Sequence, residues 1–87
     1  MKWEKIEKTV NAEGTTITYA AEGLGRRLLI QSRKRHIPHA NGSGTWDHTT
    51  YWVLRDGEEL KERHTYRDAQ AWAEAYAIER GIVGPEA

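Results

Sequence analysis

Tyr51 to Arg55, the pair Asp56 and Gly57, and then Glu58 to Thr65 read as a strand, a two-residue turn and a return strand. Asp and Gly are the residues that tolerate positive backbone angles at both turn positions, so any fold of this chain has to contain an antiparallel hairpin here. An unbroken ladder around that turn pairs Arg55 with Glu58, Leu54 with Glu59, Val53 with Leu60, Trp52 with Lys61 and Tyr51 with Glu62. One face then holds Tyr51, Val53 and Leu60, with His64 and Tyr66 further along. The other holds Trp52, Leu54, Lys61 and Arg63.

Upstream, glycines punctuate the chain. Trp3 to Val10 alternates weakly and Thr15 to Ala21 more strongly, and Asn11 to Gly14 and Glu22 to Gly25 supply the turns after them. A third strand, Arg26 to Arg35, places Leu28, Ile30 and Ser32 on one face and Arg27, Leu29, Gln31, Arg33 and Arg35 on the other. Residues 36–48, with Pro38, Gly42 and Gly44, read as one long flexible surface loop carrying Trp46. Arg67 to Arg80 sets Ala69, Trp72, Ala73, Tyr76 and Arg80 at helical spacing, opened by Thr65 with Asp68 three residues on and closed by Gly81. Residues 82–87 read as a frayed tail. The expected architecture is α+β: an antiparallel sheet of four or five strands, a meander ending in the hairpin, packed on one C-terminal helix.

With 87 residues the chain suits a single small domain, 1–87, hiding roughly 60–65% of its unfolded surface. It has no cysteine, so neither a disulfide framework nor a thiolate zinc site is available. His36, His39 and His48 cluster in the loop region and His64 lies apart, but a glycine-rich loop does not provide the fixed spacing of a structural zinc site. Ser32 and Ser43 lack a nucleophile-elbow context, and the glycines around Asn41 to Gly44 match no phosphate-binding loop. The expectation is a non-enzymatic protein without cofactor or metal. No apolar run approaches the ~20 residues of a membrane span, and Lys2, Glu4 and Lys5 open the chain without a signal-peptide core, so a cytoplasmic location is expected.

The net charge is zero, from 13 basic and 13 acidic residues, yet the charge is unevenly spread. Met1 to Ser43 holds eight bases against four acids, a balance of +4 that the rest must cancel, and Arg26 to His36 holds five bases and no acid. If the third strand and the hairpin pair in phase, one sheet face gathers Arg27, Gln31, Arg33, Arg35, Trp52, Lys61 and Arg63. Guanidinium and ammonium groups neutralise phosphates and an indole stacks on bases, so that face, with Trp46 nearby, is the candidate contact for nucleic acid, duplex DNA first.

The segment from Tyr51 to Trp72 resembles the end of the arm-type DNA-binding domains of tyrosine integrases: an aromatic strand, a glycine turn, a return strand, and a helix opened by Thr65 with Ala69 and Trp72 four and seven residues later. That resemblance implies a three-stranded sheet packed on a helix, with the sheet reading the major groove. The pattern is also similar to small phage and mobile-element accessory proteins. Glu58, Glu59 and Glu62 make the return strand acidic, which suits a protein partner better than phosphate. The alternative expectation is therefore a phage-encoded inhibitor of a host defence complex, of the anti-CRISPR type, acting by protein contact with Trp46 and Trp52 as anchors.

Overall fold

A computed structural model describes residues 2–25, 27–38 and 44–82. Five strands, β1 (Trp3–Asn11), β2 (Gly14–Ala21), β3 (Leu29–Pro38), β4 (Thr45–Arg55) and β5 (Glu58–Arg63), precede the helix α1 (Tyr66–Glu79). The strands form one antiparallel sheet in the order β1-β2-β3-β4-β5, the expected meander with the helix on one face.

Each reversal has a local cause. Asn11 Oδ1 accepts from the backbone N–H groups of Glu13 and Gly14 at 2.9 and 3.1 Å, closing the first turn. Gly14 faces Arg35 on β3, and a Cβ there would lie 1.9 Å from the Lys34 carbonyl oxygen, so the approach of β2 to β3 needs a residue without one. Asp56 and Gly57 both adopt positive φ, +53° and +83°, as the two-residue hairpin requires. Thr65 Oγ1 accepts from the Asp68 N–H at 3.1 Å, and the helix closes with Gly81 N–H donating to the Ile78 carbonyl and Ile82 N–H to that of Ala77.

The helix buries its alanine stripe, Ala69, Ala73 and Ala77, against Ala21, Leu24, Leu28, Ile30 and Val53. Alanines let the helix axis come close to the sheet, and the larger Trp72 and Tyr76, stacked with ring centres 5.2 Å apart, pack at the side. Its backbone lies over β3, β4 and β5. The Trp3 Nε1–H donates to Glu74 at 3.2 Å and ties β1 to the same layer.

Three expectations need correction. The long loop at 36–48 is shorter: β3 continues to Pro38 and β4 starts at Thr45, because His36 to Pro38 find ladder partners in Asp47, Trp46 and Thr45. Residues 39–43 lie outside the described residues. The tail does not begin at Ile82, which is 7% exposed and part of the core, since the glycine stop folds it back; 83–87 are also outside the described residues. The third correction concerns hairpin register. Arg55 faces Glu58 and Leu54 faces Glu59 as expected, but Val53 then faces Lys61, Trp52 faces Glu62 and Tyr51 faces Arg63. Leu60 is the extra residue of a β-bulge, packed against the core, and every later β5 residue changes face.

Candidate functional site: a cation-bounded half-face

β1 carries a second irregularity, between Lys5 and Glu7, with Ile6 as the extra residue. The two edge strands, β1 and β5, thus each contain one bulge, and both interrupt the same kind of sequence: Glu4, Lys5, Ile6, Glu7, Lys8 in one and Glu59, Leu60, Lys61, Glu62, Arg63 in the other. An unbroken strand would put acids among the bases, Glu4 with Lys8 and Glu7 with Lys5 on β1 and Glu59 with Lys61 and Arg63 on β5. The bulges sort them instead.

Cross-strand partners share a face, so the registers can be followed across the whole sheet. On the helix side one row runs Lys5, Tyr19, Ile30, Val53, Lys61 and the next runs Lys8, Ile17, Ser32, Tyr51, Arg63. On the open side the rows run Glu4, Ala20, Leu29, Leu54, Glu59 and Glu7, Thr18, Gln31, Trp52, Glu62. These two helix-side rows end in cations and these two open-side rows in carboxylates, about 19 Å apart at four strand spacings, while Glu58 stays on the helix side opposite Arg55.

The helix covers the row through Ile30 and Val53, both 0% exposed, and leaves bare of helix the row through Ile17 and Tyr51, where those two side chains are half-buried and Ser32 between them is buried, 7% exposed. At the boundary Tyr66, the first helical residue, packs on Tyr19 at 4.6 Å and on Tyr51 at 5.9 Å between ring centres. Beyond them a shallow groove of about 360 Å³ is lined by Lys8, Ile17, Tyr19, Ser32, Lys34 and Tyr51, among others. Burial, reinforced by Tyr51, pushes the Tyr19 phenol above its ordinary pKa. Burial also raises that of Tyr66, against a hydrogen bond from Gln70 that lowers it. Both therefore stay protonated at neutral pH, when their neighbourhood is apolar and cationic.

The far end of this half-face holds one acid. Asp47 lies 2.6 Å from His36 Nδ1 and 3.3 Å from Lys34 Nζ, and those hydrogen bonds hold its carboxyl below the usual range. Lys8 and Arg63 flank the bare row from opposite edges of the sheet.

The seven residues assigned to one basic face, with Trp46, are divided by the fold. Gln31, Arg33, Arg35 and Trp52 do share the open face, and Trp46, 46% exposed, lies further along it with its ring edge-on to His48 at 5.8 Å. Lys61 and Arg63 do not join them: the Leu60 bulge puts them opposite Val53 and Tyr51, and Glu59 and Glu62 take their places. Arg27 precedes β3, its Nε donating to the Leu24 carbonyl at 3.0 Å and its Nη2 to that of Gly23 at 2.7 Å, within the turn. Arg33 lies over the Trp52 ring at 5.1 Å, donates to Gln31 Oε1 at 2.7 Å and meets Glu59 at 3.3 Å, so the central guanidinium of the open face is occupied internally.

Lys8, Lys34 and the pairing of Tyr51 with Tyr19 across Tyr66 did not stand out in the sequence. The signal that points to them is the pair of glutamates at a spacing of three in both edge strands, Glu4 with Glu7 and Glu59 with Glu62, which no regular strand can keep on one face. Among the described residues no three His, Asp or Glu side chains gather as metal ligands; His39 is outside them. No helix among them is long and apolar enough to cross a membrane. Compared with protein-family models, curated proteins and solved structures, the chain matches none.

Proposed function

We propose that the chain is a non-enzymatic binding module for nucleic acid, and that it takes the phosphate backbone on the bare half of the helix side rather than on the open face. The carrying observation is the row Lys8, Ile17, Ser32, Tyr51, Arg63, which ends in a cation on each edge strand while Glu4, Glu7, Glu59 and Glu62 of those strands lie on the other face. Lys34 lines the same groove, with Asp47 at 3.3 Å from its ammonium. Ammonium and guanidinium groups at the edges would neutralise phosphates, and the phenol rings between them offer a surface on which bases stack without regard to sequence. The strand, glycine turn, strand and helix pattern shared with integrase arm domains supports the same ligand class, with the contact on a different face.

The test is fluorescence anisotropy of a labelled short duplex and of the matching single strand, each titrated at low and near-physiological salt. Binding should weaken steeply with salt, and Lys8→Ala with Arg63→Ala should lower the slope of log affinity against log salt by roughly two, at about 0.9 per phosphate contact. Arg35→Ala, on the open face, should leave that slope unchanged. An effect of Arg35→Ala without one from the Lys8 and Arg63 pair would return the site to the open face and overturn this reading.

A further inference from the structure

The open face also calls for an occupant. Its two central rows present Ala20, Leu29, Leu54 and Trp52, all half-buried, between Glu4 and Glu59 and between Glu7 and Glu62; the Arg33 guanidinium lies over the Trp52 ring, and no helix or strand among the described residues packs across the rest. At one end a hollow of about 520 Å³ is lined by Ile6, Ala20, Glu4 and Glu22, an apolar wall with two carboxylates that suits the stem and head of a lysine. Arg33 does not reverse the sign of this face, because Glu59 meets its guanidinium.

We infer that this open face docks against the bare helix-side half of a second copy of the chain. Complementarity of charge and spacing carries the inference. The row Glu7, Thr18, Gln31, Trp52, Glu62 and the row Lys8, Ile17, Ser32, Tyr51, Arg63 end on the same two strands, so their terminal charges are separated by the same four strand spacings and are opposite in sign. Between the charges, Trp52 of one copy would lie near Ile17 and Tyr51 of the next. Zero net charge removes the repulsion that keeps like molecules apart. The two surfaces differ, so the contact is heterologous: a pair keeps one free face of each kind, one on each copy, and association grows with concentration rather than stopping at a two-fold dimer. The inference stands independently of the nucleic-acid reading, although both use the bare half.

Sedimentation velocity over a range of protein concentrations tests it. The parent should show a concentration-dependent rise in sedimentation coefficient at low salt that is lost at high salt. Glu7→Lys with Glu62→Lys makes both faces positive, and Lys8→Glu with Arg63→Glu makes both negative. Each variant alone should be monomeric, and an equimolar mixture should associate again, because every contact in it is then between opposite charges. The milder pair Glu7→Gln with Glu62→Gln should weaken association by about tenfold and guards against misfolding of the reversed variants, which circular dichroism checks. A parent that stays monomeric at low salt, reversed variants that associate as the parent does, or a mixture that fails to associate would each overturn the inference. Capture of an unrelated basic protein by a monomeric chain would do so as well.

Discussion

The guanidinium of Arg33 lies over the indole of Trp52, 5.1 Å from the ring centre, and reaches Glu59 at 3.3 Å on the next strand. One side chain thus spans three strands of the open face and covers the aromatic that would otherwise be its most exposed apolar surface. Arg33→Ala should cost about 1 kcal/mol in urea denaturation, from the ring contact and the bond to Gln31, because Glu59 is half exposed and its ion pair is screened. Arg33→Lys, which keeps the charge but not the planar stack, should recover less than half of it.

The Leu60 bulge can be read directly by nuclear magnetic resonance. Cross-strand Overhauser contacts should connect Val53 with Lys61 and Tyr51 with Arg63. Contacts that instead place Val53 opposite Leu60 would restore the unbroken register and remove the charge sorting. Leu60→Ala should cost about 1–2 kcal/mol, below the range of a fully buried leucine, since this side chain is only partly buried.

Two glycines should respond differently to alanine. At Gly14 a Cβ meets the Lys34 carbonyl oxygen at 1.9 Å, so Gly14→Ala has to push β2 from β3 and should cost about 2–4 kcal/mol. At Gly57 nothing lies within 4 Å and only the positive φ of +83° resists, so Gly57→Ala should cost about 1–2 kcal/mol. Thermal unfolding of both variants checks the order; equal losses would show that the β2–β3 approach is not tight.

The tyrosines give a pH dependence of definite sign. Tyr19 and Tyr66 have pKa values raised above 10.0 by burial, so above that pH the unfolded chain releases phenol protons that the folded chain retains. Stability conferred by these groups is full below the unfolded pKa and falls as pH rises through it and on towards the folded values. Tyrosinate absorbance on alkaline titration should show the Tyr19 and Tyr66 phenols ionising above 10.0 in the folded chain, with unfolding following them. Phe replacing both residues should remove that component of alkaline sensitivity.

Removing the helix cap offers a local check on the groove boundary. Thr65→Ala deletes the acceptor for the Asp68 N–H and should cost about 1 kcal/mol. Because Tyr66 follows immediately and packs on Tyr19 and Tyr51, loosening the first turn should raise hydrogen exchange at the start of α1 before the rest of the sheet responds.

The sequence by itself determined the elements and their order. The Asp56-Gly57 pair, the Asn11 turn, the Thr65 cap and the Gly81 stop are local devices whose chemistry needs no partner elsewhere in the chain, so the meander and its C-terminal helix were legible. Only the tertiary structure decided which face each edge-strand charge takes. Leu60 gains from packing against the core, so the place of the β5 bulge depends on what lies beneath the strand rather than on the strand itself, whereas the extra residue of the β1 bulge, Ile6, stays 42% exposed. One residue of shift moves Lys61 and Arg63 across the sheet and brings Glu59 and Glu62 to Trp52. A candidate face assembled from alternation alone therefore kept Gln31, Arg33, Arg35 and Trp52 together but wrongly added Lys61 and Arg63, because period-two geometry carries any single-residue register error to every side chain that follows.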